Sequence, residues 1–280
     1  MMFLRLSNVF EDVLPEETIK YEYILLSGGE IMPHVELSES FSGDVIIESR
    51  LHSSLAIMEL CLATNALRRL GIKRIELVMP YIPYARQDKV AYLGQPLSIV
   101  VFADIINSMN YDKVHVLDPH SPVSMALINN SFDFDQSGIY KELIRGATNY
   151  CLVSPDAGAE KRTHKIAAIL GVNDMVFCSK TRESKTGSIV GIKVHAHDLN
   201  GKDCYIVDDI CAGGRTFFEI ATELRKLNCG KIFLYVSHGI FCNGTEQLRT
   251  VIDKIYTTNL FEYNETADVE MLPLRKENLK

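Results

Sequence analysis

What most limits the folds open to this chain is a repeated change of hydrophobic period. Short apolar runs give way to stretches of helical spacing, again and again, along most of its 280 residues. Residues 44–48 read as a buried strand. Residues 53–70 then set Leu55, Met58, Leu62, Ala66 and Leu70 on one helical face, with Ser53 or Ser54 as cap and Gly71 as stop. A strand at 75–79, a helix at 96–109 and a strand at 114–117 follow. The pattern restarts after Gly146 with a strand at 151–154, a helix at 161–170 ending at Gly171, and a strand at 204–207. A helix at 217–227 buries Phe217, Ile220, Ala221, Leu224 and Leu227, and a strand at 232–236 closes the series. Strands alternating with helices of this length imply parallel sheets with right-handed crossovers, so the fold class is α/β.

With 47% hydrophobic residues there is core material for two domains. The polar stretch 129–137 lacks either period, which sets the expected domains at 1–145 and 146–280. Residues 180–201, rich in Lys, Gly, Ser and Thr, predict a mobile loop or a surface hairpin. A net charge of −7 argues against a nucleic-acid or membrane-surface binder, because both need clustered Lys and Arg. It leaves phosphate chemistry open, since that needs only a few local cations and backbone amides. The seven cysteines are scattered, odd in number and without C-x-x-C spacing, so reduced core thiols are expected rather than disulfides or a zinc site. No stretch approaches the ~20 apolar residues of a membrane span, and the first ten residues do not form a signal peptide. The expectation is a cytoplasmic protein.

The chemistry sits in Tyr205-Ile206-Val207-Asp208-Asp209-Ile210-Cys211-Ala212-Gly213-Gly214-Arg215-Thr216, just before a helix. A lone Asp-Asp or Gly-Gly would be no more than a helix cap or a turn. The combined order does more: loop amides and a helix N-terminus bind phosphate, and glycines let the backbone approach an anion closely. Two carboxylates at a strand's C-terminal edge can accept hydrogen bonds from the vicinal hydroxyls of a ribose.

This segment resembles the phosphoribosyl-binding loop, V-D-D-x-x-x-T-G-G-T, of phosphoribosyltransferases and ribose-phosphate pyrophosphokinases. Residues 79–89, Met-Pro-Tyr-Ile-Pro-Tyr-Ala-Arg-Gln-Asp-Lys, are similar to the pyrophosphokinase pattern P-Y-x-x-Y-A-R-Q-D-R/K. Asp118-Pro119-His120-Ser121 resembles D-L-H-S/A, and residues 153–162 resemble V-x-P-D-x-G-x-x-K-R. Ser237-His238-Gly239-Ile240-Phe241 resembles T-H-G-L-F, while Gly29-Glu30 and Thr258-Asn259 fit two shorter signatures. The matches run in order over nearly the whole chain.

The resemblance implies two phosphoribosyltransferase-type, Rossmann-like domains related by duplication, with the active site between them, in a homo-oligomer, dimer or hexamer. It implies ATP and Mg²⁺, with the diphosphoryl group passing to a ribose 5-phosphate unit. Glu30, Arg86, Gln87 and Lys89 would bind ATP, with Asp88 bracing the cations. His120 and Asp156 would contact the metal. Asp208 and Asp209 would hold the ribose, and Gly213, Gly214, Arg215 and Thr216 its phosphate. Lys180 and Arg182, on a flap, would act with His120 in catalysis, and His238 would line the cleft.

Two departures keep alternatives open. Where the family usually has Asp-Thr-Gly-Gly-Thr, this chain has Ala212, Gly213, Gly214, Arg215 and Thr216. The added cation suits a bulkier acceptor such as ADP-ribose as well as ribose 5-phosphate, and the lost Asp leaves a non-catalytic regulatory subunit in play. Where the family has F-x-D/N-G-E, this chain has Leu26-Ser27-Gly28-Gly29-Glu30. A phosphoribosyltransferase would share the loop but has no need of Arg86-Gln87-Asp88 or His120.

Overall fold

The computed structural model describes residues 1–38, 40–182, 189–261 and 268–279; the side chains of 180–182 and 189–190 fall outside that description. The chain forms two compact units, Met1–Asp135 with Leu274–Lys280, and Gln136–Pro273.

In the first unit the strands are β1 (Met2–Arg5), β2 (Thr18–Leu25), β3 (Ile31–Glu36), β4 (Val45–Glu48), β5 (Ile75–Val78), β6 (Lys113–Val116) and β7 (Ser131–Asp133). They lie in the order β3-β2-β1-β4-β5-β6-β7, all parallel except the β2–β3 hairpin. Its helices are α1 (Ser54–Arg69), α2 (Ser98–Ser108) and α3 (Pro122–Leu127). Central strands buried on both faces read as unbroken apolar runs, and Val45, Ile46 and Ile47 are wholly buried.

The second unit carries α4 (Ser137–Leu143), β8 (Tyr150–Ser154), α5 (Glu160–Leu170), β9 (Met175–Arg182) and β10 (Ile189–Val194). After these come β11 (Asp203–Cys211), α6 (Arg215–Arg225), β12 (Ile232–Gly239), α7 (Glu246–Arg249), β13 (Lys254–Leu260) and β14 (Val269–Met271). Its strand order, β10-β9-β8-β11-β12-β13-β14, repeats that of the first sheet, again with one antiparallel hairpin at the same flank. The segment expected to be a loop or hairpin is that hairpin, β9–β10; residues 183–188 lie outside the description. Helix α4 belongs to this unit, so the join lies between Asp135 and Gln136, ahead of the expected position.

Two readings of detail are corrected. Helix α1 starts and stops as expected, with Ser53 Oγ accepting from Ala56 N at 3.1 Å and Gly71 at φ +89°. Its buried face, however, is Leu60, Ala63, Thr64 and Leu67, while Leu55, Met58 and Leu70 are about half exposed. The helix carries two apolar stripes, and the one containing small Ala63 packs onto the sheet. Leu67→Ala should therefore destabilise the protein by about 2–5 kcal/mol and Leu55→Ala by under ~1 kcal/mol. Urea unfolding midpoints of the two variants measure this, and similar shifts would contradict the packing. The strand expected at 204–207 is longer: β11 continues to Cys211, paired with β8 over its first half and with β12 along its length.

Helix α6 buries Phe217, Ile220, Ala221 and Leu224 as its periodicity predicts, while Leu227 lies beyond its end. All seven cysteines are free, four of them buried; Cys151 and Cys204 face each other across β8 and β11 at 3.8 Å. No described helix is long and apolar enough to cross a membrane.

Candidate active site

In the second unit the polar chemistry collects at the C-terminal end of β11. Successive strand residues point to opposite faces, yet one cation reaches both acids there. Arg162, from the first turn of α5, donates from Nη1 to Asp208 Oδ1 at 3.0 Å, and its Nη2 lies 3.4 Å from Asp209 Oδ2. Asp208 Oδ1 also accepts from Asp209 N at 2.9 Å. The side chain of Asp208 is 17% exposed and that of Asp209 8%. Burial, then the neighbouring Asp209 carboxylate, push Asp208 well above the ordinary value of 3.8, and Arg162 only partly offsets them.

The loop that follows is tight for identifiable reasons. Gly214 has φ +79° and caps α6 with no side-chain acceptor, and a Cβ there would lie 3.0 Å from Leu248. The first amides of α6 therefore have no side-chain cap, the arrangement that attracts anions. Thr216 stands in that first turn. Arg215 is 83% exposed, and its Nε donates to Glu219 Oε1 at 2.7 Å. Asp156 lies in the turn ahead of α5, where its Oδ1 accepts from Gly158 N at 2.9 Å and Ala159 N at 3.2 Å.

In the first unit the loops after β5 and β6 are knitted together. Met79 N donates to His115 O and Leu117 N to Pro80 O, both at 2.9 Å. Each loop holds a non-glycine residue in the left-handed region, Tyr84 at φ +63° and Asp118 at φ +41°. Strain of this kind gathers at functional loops. Arg86, Gln87, Lys89 and His120 are exposed beyond these residues, and Gln87 Oε1 accepts from Ser98 Oγ at 2.5 Å. Asp88 makes no ion pair with Arg86 or Lys89 among the described residues, so the expected bracing is not seen. The cations instead project from an open loop.

Comparison with known proteins bears on this arrangement. The family model for the N-terminal domain of ribose phosphate pyrophosphokinase matches residues 12–109, and that for the phosphoribosyl transferase domain matches 132–269. A ribose-phosphate pyrophosphokinase of Pyrococcus abyssi is 30% identical over 232 residues, covering 81% of this chain and 79% of the relative. One from Buchnera aphidicola is 31% identical over 264 residues, 88% of this chain and 79% of the relative. The chain belongs to the ribose-phosphate pyrophosphokinase family. The fold agrees: the phosphoribosylpyrophosphate synthetase of Mycobacterium smegmatis matches with a TM-score of 0.78 at 22% identity, covering 97% of this chain and 93% of that one.

For a ribose-phosphate pyrophosphokinase family member, the residues singled out in the sequence fall in several separate places. Asp208, Asp209, Gly213, Gly214, Arg215 and Thr216 are brought together within one strand–loop–helix turn. The 86–89 segment and His120 lie in the loops that follow two neighbouring strands, since β5 pairs with β6. Glu30 stands apart at the tip of the β2–β3 hairpin, with β1 and β4 between it and β5. Lys180 and Arg182 lie on the last residues of β9, and their side chains are outside the description. His238 is 2% exposed, and its Nδ1 lies 3.1 Å from Asn259 Nδ2.

Arg162 ends the 153–162 segment, and nothing local in the sequence assigns it a role. Its signal was faint: a cation directly beside Thr163, on the face of α5 that also buries Ile166.

Proposed function

We propose that this protein is a diphosphokinase that moves the β,γ-diphosphoryl group of ATP onto the anomeric hydroxyl of a ribose 5-phosphate unit. The observation that carries this reading is the carboxylate pair Asp208–Asp209, clamped by Arg162 at the head of a glycine-built phosphate loop. The carboxylates accept from the ribose 2- and 3-hydroxyls, and the loop and first turn of α6 hold the 5-phosphate. Arg86, Gln87 and Lys89 grip the ATP phosphates, Arg by its donor fork and Lys as a mobile charge. The anomeric oxygen attacks Pβ, the bond from Pβ to the bridging oxygen of AMP breaks, and AMP leaves with that oxygen. The hydroxyl proton passes to solvent. Lys180 and Arg182 then have the task of neutralising charge on the transferring oxygens.

Among the described residues no three His, Cys, Asp or Glu side chains converge as a metal cage. Mg²⁺ needs no such cage, because it keeps several waters and leans on one or two protein groups plus substrate phosphates. Asp156, oriented by two backbone amides, and His120 are the groups offered. An ion held with ATP would supply charge neutralisation.

Ribose 5-phosphate, giving phosphoribosyl pyrophosphate, is the first acceptor. ADP-ribose is the second, favoured by Arg215, whose exposed guanidinium uses only Nε in its bond to Glu219. We read the protein as a cytoplasmic homo-oligomer. The β2–β3 hairpin supports this, exposing Tyr23, Ile24, Leu25, Leu26 and Met32 by 41–62%.

The deciding experiment incubates the protein with Mg-ATP and each acceptor in turn and follows AMP by chromatography. AMP with ribose 5-phosphate is the expected result, and AMP with ADP-ribose alone moves the assignment to the second acceptor. If neither yields AMP, even in an Ala212→Asp variant, the regulatory-subunit reading replaces this one.

A further inference from the structure

Segment 240–243 is laced to the phosphate loop by successive donors. Ile240 N and Phe241 N both donate to Cys211 O, at 2.9 and 3.1 Å, and Cys242 N donates to Ala212 O at 3.0 Å. Asn243 Nδ2 continues the series to Gly213 O at 3.3 Å. Three of these donors are backbone and do not depend on side-chain identity; the fourth is a side chain.

A trans peptide carries its C=O and N–H on opposite sides. Drawing carbonyls 211, 212 and 213 toward segment 240–243 therefore turns the N–H groups of 212, 213 and 214 the other way. Amides turned alike in a loop are what an anion-binding concavity presents. Gly213 has no side chain, and a Cβ built on it would lie 2.9 Å from Asn243 Nδ2. Asn243 thus takes up the space a side chain at 213 would fill, while standing exposed itself. Burial does not account for its placement.

We infer that Asn243 is a positioning residue for the acceptor: it fixes the 213–214 peptide so that the loop's N–H groups stay turned toward the 5-phosphate. This rests on the acceptor site proposed above, so the test includes a readout that needs no acceptor. In Asn243→Ala, amide hydrogen exchange followed by mass spectrometry should speed up about tenfold at residues 212–216 and stay unchanged elsewhere, the effect of losing one hydrogen bond. KM for ribose 5-phosphate should rise about tenfold, with kcat and KM for ATP within about twofold. Gly213→Ser should raise the acceptor KM by a larger factor in the wild-type background than in Asn243→Ala, because the space is then free. Unchanged exchange in the loop overturns the inference whatever the protein acts on. A KM effect falling on ATP instead, or equal harm from Gly213→Ser in both backgrounds, overturns it too.

Discussion

Replacing Arg162 with Met is expected to lower kcat/KM for the acceptor about 10²–10³-fold while leaving KM for ATP nearly unchanged. The guanidinium is the cation between two adjacent carboxylates, 3.0 Å from Asp208 and 3.4 Å from Asp209. Without it the two negative charges face each other in a site that burial already makes unfavourable for ions, and one of them takes up a proton. A protonated acid offers the sugar diol one acceptor fewer, and the pair loses its shared orientation. Truncating one partner of a buried charge pair costs about 2–5 kcal/mol, which sets the size of the effect. The acids here are partly exposed, which places the stability loss at the low end of that range.

The same variant has a pH signature with a definite sign. Asp208 is an acid whose pKa is raised in the folded protein above 3.8. A raised acid contributes stability that is fully present below the unfolded pKa and is lost as pH rises through the folded one. Removing Arg162 takes away the one influence among its main neighbours that lowers this pKa by charge. The denaturation midpoints of wild type and Arg162→Met should therefore lie closest near pH 4 and diverge as pH rises. Parallel curves would show that the guanidinium does not govern the pair.

Lys180→Ala is the second large effect, expected to cut kcat by about 10²–10³-fold with KM for ATP changed by only a few-fold. Diphosphoryl transfer asks a protein for alignment and charge neutralisation more than for covalent chemistry. A cation that meets the transferring group only as it moves contributes to kcat and little to ground-state binding. The β9–β10 hairpin that carries Lys180 has an edge strand, β10, paired on one side only. Such an element has less to hold it still than the central strands, and a closing element excludes water from the reaction. Steady-state kinetics separate the outcomes: near-normal turnover would take Lys180 out of the chemistry, and a change confined to KM for ATP would move it to nucleotide binding.

How far these residues could be read from the chain alone differs from place to place. The 205–216 run was legible because its chemistry is local: strand, acids, glycines and helix start all lie within twelve residues. Helix α6 was legible because its only apolar stripe is also its buried one. Helix α1 was not, because two stripes compete and the choice between them is made by the sheet beneath. Strands β2 and β3 escaped notice since β2 is exposed over most of its length and lacks a period-2 alternation. Arg162 and Asn243 could be named in the sequence but not understood there. Each acts on a segment about 30 residues or more away in the chain, through a contact that only the closed sheet creates.

Residues 274–280 close the first unit rather than the second. Leu274 is buried and bridges to Phe10, Lys276 N and Nζ reach Asp12 and Glu17, and Asn278 reaches Asp135 O. On a ribosome this reverses the usual order of completion, in which the part made first folds first. All of Gln136–Pro273 has been synthesised before the piece that covers Phe10 exists, so the half begun first is the half finished last. A chain truncated before Leu274 would keep every strand of the second sheet and lack the piece that bridges to Phe10 in the first.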